Sequence, residues 1–457
     1  MSTYDRHSER RKIMSETLST KKSEHYGSKF GAIMSMAGMA IGLGNVYRFP
    51  YMVGAYGGGA FVIAYLICAL LIVTPIAIME AGYGKQIGKG LVEAYEAALH
   101  KKGISKVIGC LCGCVYGTMN FFFIPVMATC IYFMYVSLTG GFKKAADVST
   151  MYADSLGNYS FMILTTIALA LVIGLIIFKG VQQGIEAVSK VMVPLMFLFF
   201  IIVIIFAVFA IDGIGKGFDY YLNPDFSWWA KPSMWVGAMG QALFSIGVGP
   251  GCVLIYGSHL PKKNDVTVSL TTVCLLDTSI AMIAGMSMIP ACIAMGLDPE
   301  AGTGLIFVIL PALFAQLPMG GLIGFLVFAA IFFAAITSAV AQQEVPVYTF
   351  MNCFGISRAK ASLVATIITA AAAGYAAYSL PFMDFWNMFA GNYGFIITAG
   401  VGSIVYGWVY GVEKIRVQTL NTTSGVQLGK WYTYWCKYVC IPIMVLVMLN
   451  SLFPFLG

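Results

Sequence analysis

Charge is what this chain has least of. Asp, Glu, Lys and Arg together make up 10% of its 457 residues, and histidine occurs four times. Soluble domains carry about 25% charged residues, because a surface facing water must be covered by groups that water solvates. A chain of this length would ordinarily divide into two to four soluble domains, and the shortage of charge excludes that. Disorder, which needs a polar and charged chain, is excluded with it. Also missing are a Walker-type phosphate loop, a His-Glu-x-x-His zinc helix and a serine elbow, so the common hydrolase and nucleotide-dependent chemistries have no anchor. The first 28 residues are polar and lack an apolar h-region, so no cleavable signal peptide is expected.

What is present instead is apolar: 59% of the residues belong to the hydrophobic set. A bilayer core needs about 20 apolar residues per crossing helix. Eleven stretches qualify: 29–54, 59–84, 106–139, 160–178, 188–210, 233–258, 267–295, 320–353, 359–379, 386–411 and 432–455. The stretch 296–319 is apolar too, but Pro299, Pro311 and Pro318 interrupt it, and it is expected to be a re-entrant or capping hairpin. The net charge of +7 belongs to topology and not to nucleic acid. With the N-terminus cytoplasmic, twenty-one Lys and Arg fall on inner segments and four (Lys143, Lys144, Lys216, Lys231) on outer loops, the sign that orients helical membrane proteins. Eleven spans then put the C-terminus outside, in the cell's inner (plasma) membrane. The eleven cysteines lie mostly inside apolar runs, which argues against a disulfide framework.

Two mid-span sequences echo each other. Ile41-Gly42-Leu43-Gly44 lies in the first span and Ile246-Gly247-Val248-Gly249 in the sixth. Five spans apart, they run in opposite directions through the membrane. Glycine weakens a helix by about 1 kcal/mol relative to alanine, so both spans are expected to unwind near the midplane. Close helix packing through small residues is the competing explanation, but a matched inverted pair favours unwinding. Broken helices in corresponding positions of two inverted halves mark a transporter's binding site. The predicted fold is an all-α integral membrane protein, an inverted-repeat 5+5 helix bundle with broken first and sixth helices and eleven spans. Its parts are a cytoplasmic segment 1–28, a first repeat 29–210, a second repeat 233–411 and an eleventh helix 432–455.

Backbone groups freed in hydrocarbon must find partners. Carbonyls turned out of a broken helix suit a desolvated cation, and N–H groups at a half-helix N-terminus suit a carboxylate. Asn45 directly follows the first break, and Thr337-Ser338 offers adjacent hydroxyls in the eighth span, although such hydroxyls often bond to their own helix. Ionisable residues inside the membrane are expensive and point to function. Glu80, Asp277, Glu344 and Asp384 qualify with Arg48. Glu80 is expected to brace broken backbone, and Arg48 and Asp384, both at outer span ends, to form a gate.

The run Gly38-Met39-Ala40-Ile41-Gly42-Leu43-Gly44-Asn45-Val46-Tyr47-Arg48-Phe49-Pro50 resembles the signature of the neurotransmitter:sodium symporter family. Gly57-Gly58-Gly59-Ala60-Phe61, Gly240-Gln241 through Gly251, Thr337-Ser338 and Asp384-Phe385-Trp386 extend the likeness in order along the chain. Eleven spans resemble the shorter bacterial members. The resemblance implies an amino acid as substrate, with Na⁺ at two sites and no chloride requirement. One Na⁺ would meet the carbonyls of Gly38, Ile41 and Ala334 and the hydroxyls of Thr337 and Ser338. The other would meet the Ala40 carbonyl, Asn45, Ser245 and Asp277. The substrate carboxylate would face the N–H groups of Leu43 and Gly44 and the Tyr132 hydroxyl, and the ammonium the carbonyls of Ala40, Phe244 and Ser245. Ala128, Gly247, Pro250, Ser338 and Gln342 would line the side-chain pocket, whose small walls and single amide suit a large aromatic or polar side chain. Phe244 would close over it from outside. Chloride-using animal members carry asparagine where this chain has Asp277, and Ala281 leaves Asp277 as the one local source of compensating charge. The family's inner Arg–Asp latch is missing: Ser23 and Asn352 stand there and Tyr26 replaces a tryptophan, so His259 and Glu344 are expected to pair instead. An intramembrane aspartyl protease using Asp277 and Asp384, or a non-transporting amino-acid sensor on the same scaffold, are the competing functions. The partners expected are a small amino acid and the lipid bilayer, with no nucleic acid.

Overall fold

The computed structural model describes residues 25–144, 150–297, 305–422 and 425–453. Residues 1–24 of the expected cytoplasmic segment 1–28, Ser23 among them, lie outside them, as do Pro299 and the rest of 298–304.

Among the described residues the chain is helical, with a single isolated β-bridge between Gly58 and Pro224. Nine unbroken helices are long and apolar enough to cross a membrane, and a bent pair makes a tenth crossing. The pair is α1 (Lys29–Ala40) and α2 (Gly44–Ala55), inclined by 50°. Then follow α3 (Gly59–Ile87), α4 (Lys102–Leu138), α5 (Tyr159–Phe178) and α6 (Val181–Ala210). The expected sixth span is two shorter helices, α7 (Pro232–Ile246) and α8 (Cys252–Ser258). The remaining helices are α9 (Val266–Ala294), α10 (Gly320–Phe354), α11 (Arg358–Tyr378), α12 (Leu380–Thr422) and α13 (Lys430–Leu452). The order reproduces the eleven expected stretches. The apolar stretch after α9 carries a short helix, Leu310–Gln316.

Both breaks have local causes. Helix α1 is capped by Ser28, whose side chain accepts from the Gly31 N–H, and it stops at Ile41, which turns to an extended conformation. In the second break Gly247, Gly249 and Gly251 have φ of 80°, 113° and 97°, a region that residues with a Cβ rarely adopt. At Gly249 a Cβ would also overlap Ala399 on α12. Unwinding and close packing are thus both required at this position.

The broken helices are the most enclosed elements. Every residue from Met34 to Val46 is buried, with α6, α9 and α10 packed around α1. Helix α8 packs against α3, α10 against α4, and α5 against α11. Large apolar side chains stay exposed along α5, α6 and α11, among them Leu164, Leu175, Ile205, Phe209 and Ile367. Such a belt is unfavourable in water and costs nothing in hydrocarbon.

Candidate functional site

Two cavities meet at the breaks. The larger, about 840 Å³, lies on the side where α2 ends and is lined by Tyr47, Arg48, Tyr51, Phe122, Val126, Tyr152, Met383, Asp384 and Asn387, with Leu43, Phe123 and Phe244 at its floor. The smaller lies beneath Phe244 between the two breaks. Met39, Ala40, Gly42, Gly44, Tyr116, Met119, Phe123, Gly247, Ser338, Gln342 and Phe395 complete its wall. Phe244 and Phe123 line both cavities, so their rings form the partition between them. Phe244 rests against Phe395 with centroids 5.6 Å apart, and the Arg48 guanidinium sits 5.3 Å above it, within cation–π range. Arg48 and Asp384 share the outer cavity, yet no ion pair joins them among the described residues. The two residues expected to form a gate line one cavity but stand apart.

Most of the expected substrate residues converge on the small cavity. Ala40, Gly44, Phe244, Gly247, Ser338 and Gln342 line it, Leu43 lines the cavity above, and Ser245 is buried beside Phe244. At the N-terminus of α2 the first N–H groups have no partner within the helix and carry the positive end of its dipole. At the C-terminus of α1 the carbonyls carry the negative end.

Helix α4 corrects the expectation. Tyr132 is half-buried with its ring against Phe133 and Phe161, and neither it nor Ala128 reaches the small cavity. Met119 and Phe123 stand there instead, with the same four-residue spacing nine positions earlier. Nine residues are two and a half helical turns, which turns the expected pair to the far side and displaces it along the axis. The segment is apolar on all sides, so nothing in its periodicity fixes the register. The tyrosine that α4 brings to the cavity is Tyr116. Pro250 is also not in the lining: it is buried behind Gly247 in the second break.

Two oxygen clusters flank the small cavity. In one, the Ser338 hydroxyl lies 3.0 Å from the Ile41 carbonyl and 3.4 Å from those of Gly38 and Met39. The Thr337 hydroxyl donates to the Ala334 carbonyl at 3.0 Å and to Phe333 at 3.1 Å. Ser338 is thus joined to Gly38 and Ile41 of the expected set, whereas both bonds of Thr337, to Ala334 and Phe333, lie within its own helix, as such residues favour. In the other cluster the Asn45 amide donates to the Ser245 hydroxyl (2.8 Å), the Asp277 carboxylate (2.8 Å) and the Asp277 carbonyl (2.9 Å). Ser245 donates to the second carboxylate oxygen at 2.8 Å, and the Gly42 N–H donates to the Asn45 oxygen at 3.0 Å. Asp277 is completely buried. The hydroxyls, carbonyls and carboxylate gathered here, with one formal negative charge, are hard donors that suit Na⁺ and not a softer metal, while the Asn45 amide nitrogen donates within its cluster and its oxygen accepts from the Gly42 N–H. No group of three His, Cys, Asp or Glu that could hold a metal occurs among the described residues.

Side-chain braces tie the breaks to their surroundings. The Gly249 N–H donates to Glu80 at 2.9 Å, so Glu80 braces the broken backbone as expected. Gln241 of α7 donates to the Gly44 carbonyl at 2.6 Å, joining α7 to the start of α2 at the first break.

The opposite face is shut. The Tyr26 N–H donates to the His259 carbonyl at 3.2 Å, and the rings of Tyr26 and His259 meet edge to face. His259 and Glu344 are buried 3.7 Å apart, and Glu344 has a second partner that the sequence did not disclose: Arg358, the first residue of α11, holds both carboxylate oxygens at 2.8 Å. Read as sequence, Arg358 is one more positive charge in an inner loop. Glu186, near the start of α6, was also missed; it accepts from the Gly27 N–H (2.7 Å) and the Ser28 hydroxyl (3.0 Å) and pairs with Lys190 at 2.6 Å. The Glu–Lys spacing of four residues within an apolar stretch was its only signal. Asp277 and Asp384 do not share a site: the first is sealed behind Asn45 and the second lines the outer cavity, so no carboxylate pair of protease type forms between them.

Residues 23–150 and 142–455 match the sodium:neurotransmitter symporter family. An uncharacterized sodium-dependent transporter of Methanocaldococcus jannaschii is 31% identical over 437 residues, covering 91% of this chain and 88% of its own. Another uncharacterized sodium-dependent transporter, of Bacillus subtilis, is 32% identical and covers 73% of each chain. Among solved structures, MhsT in complex with L-phenylalanine superposes with a TM-score of 0.83 at 26% identity, over 94% of this chain and 99% of that one. With its paired breaks, its oxygen clusters and this likeness along nearly its whole length, the chain belongs to the sodium:neurotransmitter symporter family and is a multi-pass membrane transporter, not an enzyme.

Proposed function

We propose that the protein imports an α-amino acid with a large side chain together with Na⁺ by alternating access. The observation that carries this reading is the small cavity closed by Phe244, set between a helix N-terminus suited to a carboxylate and two oxygen clusters suited to Na⁺. The Ser338 cluster would hold one ion and the Asn45–Ser245–Asp277 cluster the other. The substrate carboxylate would lie at the Leu43 and Gly44 N–H groups beside the second ion, and its ammonium at the carbonyls of Ala40, Phe244 and Ser245. Both ends of the amino acid would then be matched by charge. Because each ion cluster draws groups from different helices, Na⁺ binding would stabilise the one arrangement in which the cavity is complete.

With the outer cavity open above Phe244 and the His259–Glu344–Arg358 cluster buried on the other face, this is the geometry of an outward-facing carrier. The Lys and Arg bias supports an orientation with residues 1–28 in the cytoplasm and the C-terminus outside the plasma membrane. Asp277 supplies negative charge beside the second ion, so chloride is not required. The decisive experiment is uptake of labelled amino acids into proteoliposomes under an imposed Na⁺ gradient. Concentrative, Na⁺-dependent accumulation is expected. Binding without accumulation would make the protein a sensor and refute the reading.

A further inference from the structure

Within the small cavity one polar group has nothing to do. The carboxamide oxygen of Gln342 is buried and has no hydrogen-bond partner, and the residue as a whole is 2% exposed. It lines the cavity one helical turn from Ser338 on the same face of α10, toward the shut face of the protein. The cavity's other side-chain walls are chiefly rings and thioethers, among them Tyr116, Met119, Phe123 and Phe395. Gly247, where backbone conformation requires glycine, contributes no side chain to fill the space.

Resting on the amino-acid reading above, we propose that Gln342 is a specificity-determining residue that reads a hydrogen-bond donor on the far edge of an aromatic substrate side chain, so that tryptophan and tyrosine are preferred and phenylalanine is not. A buried acceptor without a partner is costly, and a substrate that supplies the missing donor removes that cost on binding. A ring that fills the cavity without a donor leaves the oxygen stranded in apolar surroundings. Sites built to bond a substrate N–H or O–H discriminate far more strongly against the analogue lacking it than apolar pockets do against a missing methylene. The ring walls favour an aromatic side chain over the neutral amides and hydroxyls of asparagine, glutamine, serine and threonine, which also carry donors. A lysine or arginine head would enter with its charge unmatched, since no carboxylate lines the cavity.

The test is competition for Na⁺-driven uptake into proteoliposomes, using labelled tryptophan or tyrosine, whichever accumulates. The competitors are phenylalanine, O-methyltyrosine and 1-methyltryptophan together with the unlabelled parents. In the wild type, tyrosine and tryptophan should outcompete phenylalanine by about tenfold or more, the ratio that one stranded acceptor implies. The methylated analogues should fall with phenylalanine. Gln342→Leu should narrow the gap to about twofold by weakening the donors. If Gln342→Leu fails to fold, the wild-type analogue series decides alone. Phenylalanine competing as well as tyrosine and tryptophan in the wild type overturns the proposal, as does a Gln342→Leu protein with an unchanged order of preference. Either result leaves Na⁺-driven amino-acid uptake standing. Failure of every amino acid to accumulate would overturn the transport reading and this inference with it.

Discussion

The Arg358–Glu344 pair predicts how firmly the shut face is held. Glu344 is fully buried and Arg358 only 12% exposed, and the two make a bidentate contact with both N···O distances at 2.8 Å. Arg358 also donates to the Ile177 carbonyl at the end of α5 at 3.2 Å, so it fastens α10 and α11 to α5 on the side that must open. Arg358→Met keeps much of the side-chain volume and removes the guanidinium. The carboxylate is then left buried beside the His259 ring, 3.7 Å away, without the guanidinium that paired it. Removing one partner of a buried pair costs about 3–5 kcal/mol, chiefly because the remaining charge is unpaired. Opening this face would hydrate Glu344 and recover that cost, so the variant shifts toward the open arrangement by roughly two to three and a half decades. The double variant Glu344→Gln/Arg358→Met removes both charges and should close again, since replacing a buried pair as a whole is often neutral. The assay is alkylation of Ser258→Cys, at the buried end of α8, by an impermeant maleimide in inside-out vesicles, with Cys110, Cys114 and Cys353 replaced by alanine. Arg358→Met should speed labelling strongly and the double variant should restore the parent rate. A single variant that labels within twofold of the parent refutes the reasoning, and so does a double variant as accessible as the single one.

At the Ser338 cluster, Thr337→Val with Ser338→Ala keeps the helix shape and removes two oxygen ligands, so the Na⁺ concentration for half-maximal uptake should rise at least tenfold; an unchanged value refutes the site. Gly247→Ala places a Cβ in a φ of +80° and 3.1 Å from the Cys252 sulfur, so uptake of large substrates should fall more than that of alanine, as read by competition, whereas Ala128→Val, away from the cavity, should leave that order unchanged. Replacing chloride by gluconate should leave the wild-type rate intact, and Asp277→Asn should either abolish uptake or make it depend on chloride; a wild-type rate that collapses without chloride contradicts the role given to Asp277. Gly249→Ala meets a forbidden φ and the Ala399 backbone together, so the protein should lose several kcal/mol of stability, visible as poor recovery and a lowered thermal transition in detergent.

What could be read from sequence, and what could not, follows the physics of each signal. Glycine clusters act locally, so Gly42/Gly44 and Gly247/Gly249 disclosed both breaks, and with them Asn45 and Ser338, which are placed by adjacency and by the motif. Asp277 was legible because a carboxylate in hydrocarbon is too expensive to be incidental. Arg358 was not, because a charge at a helix start beside a loop has an innocent explanation until its partner's position in space is known. Helix α4 shows the deeper limit. Register on a helix is read from contrast between faces, and a helix enclosed by protein on most sides has little contrast to offer. Its sequence Asn120-Phe121-Phe122-Phe123 presents rings all round. Only the packing decides that Phe123 approaches Gly42 while Phe121 turns away to Trp386. The nine-residue displacement therefore falls in the wall of the small cavity, and it changes the chemistry expected there. In place of Ala128 and the Tyr132 hydroxyl the cavity has Met119 and the ring of Phe123, and the tyrosine that lines it is Tyr116. Under the proposed reading the substrate carboxylate would rely on the α2 N-terminus and the neighbouring cation, and Gln342, whose carboxamide oxygen is unpartnered, would tell one side chain from another.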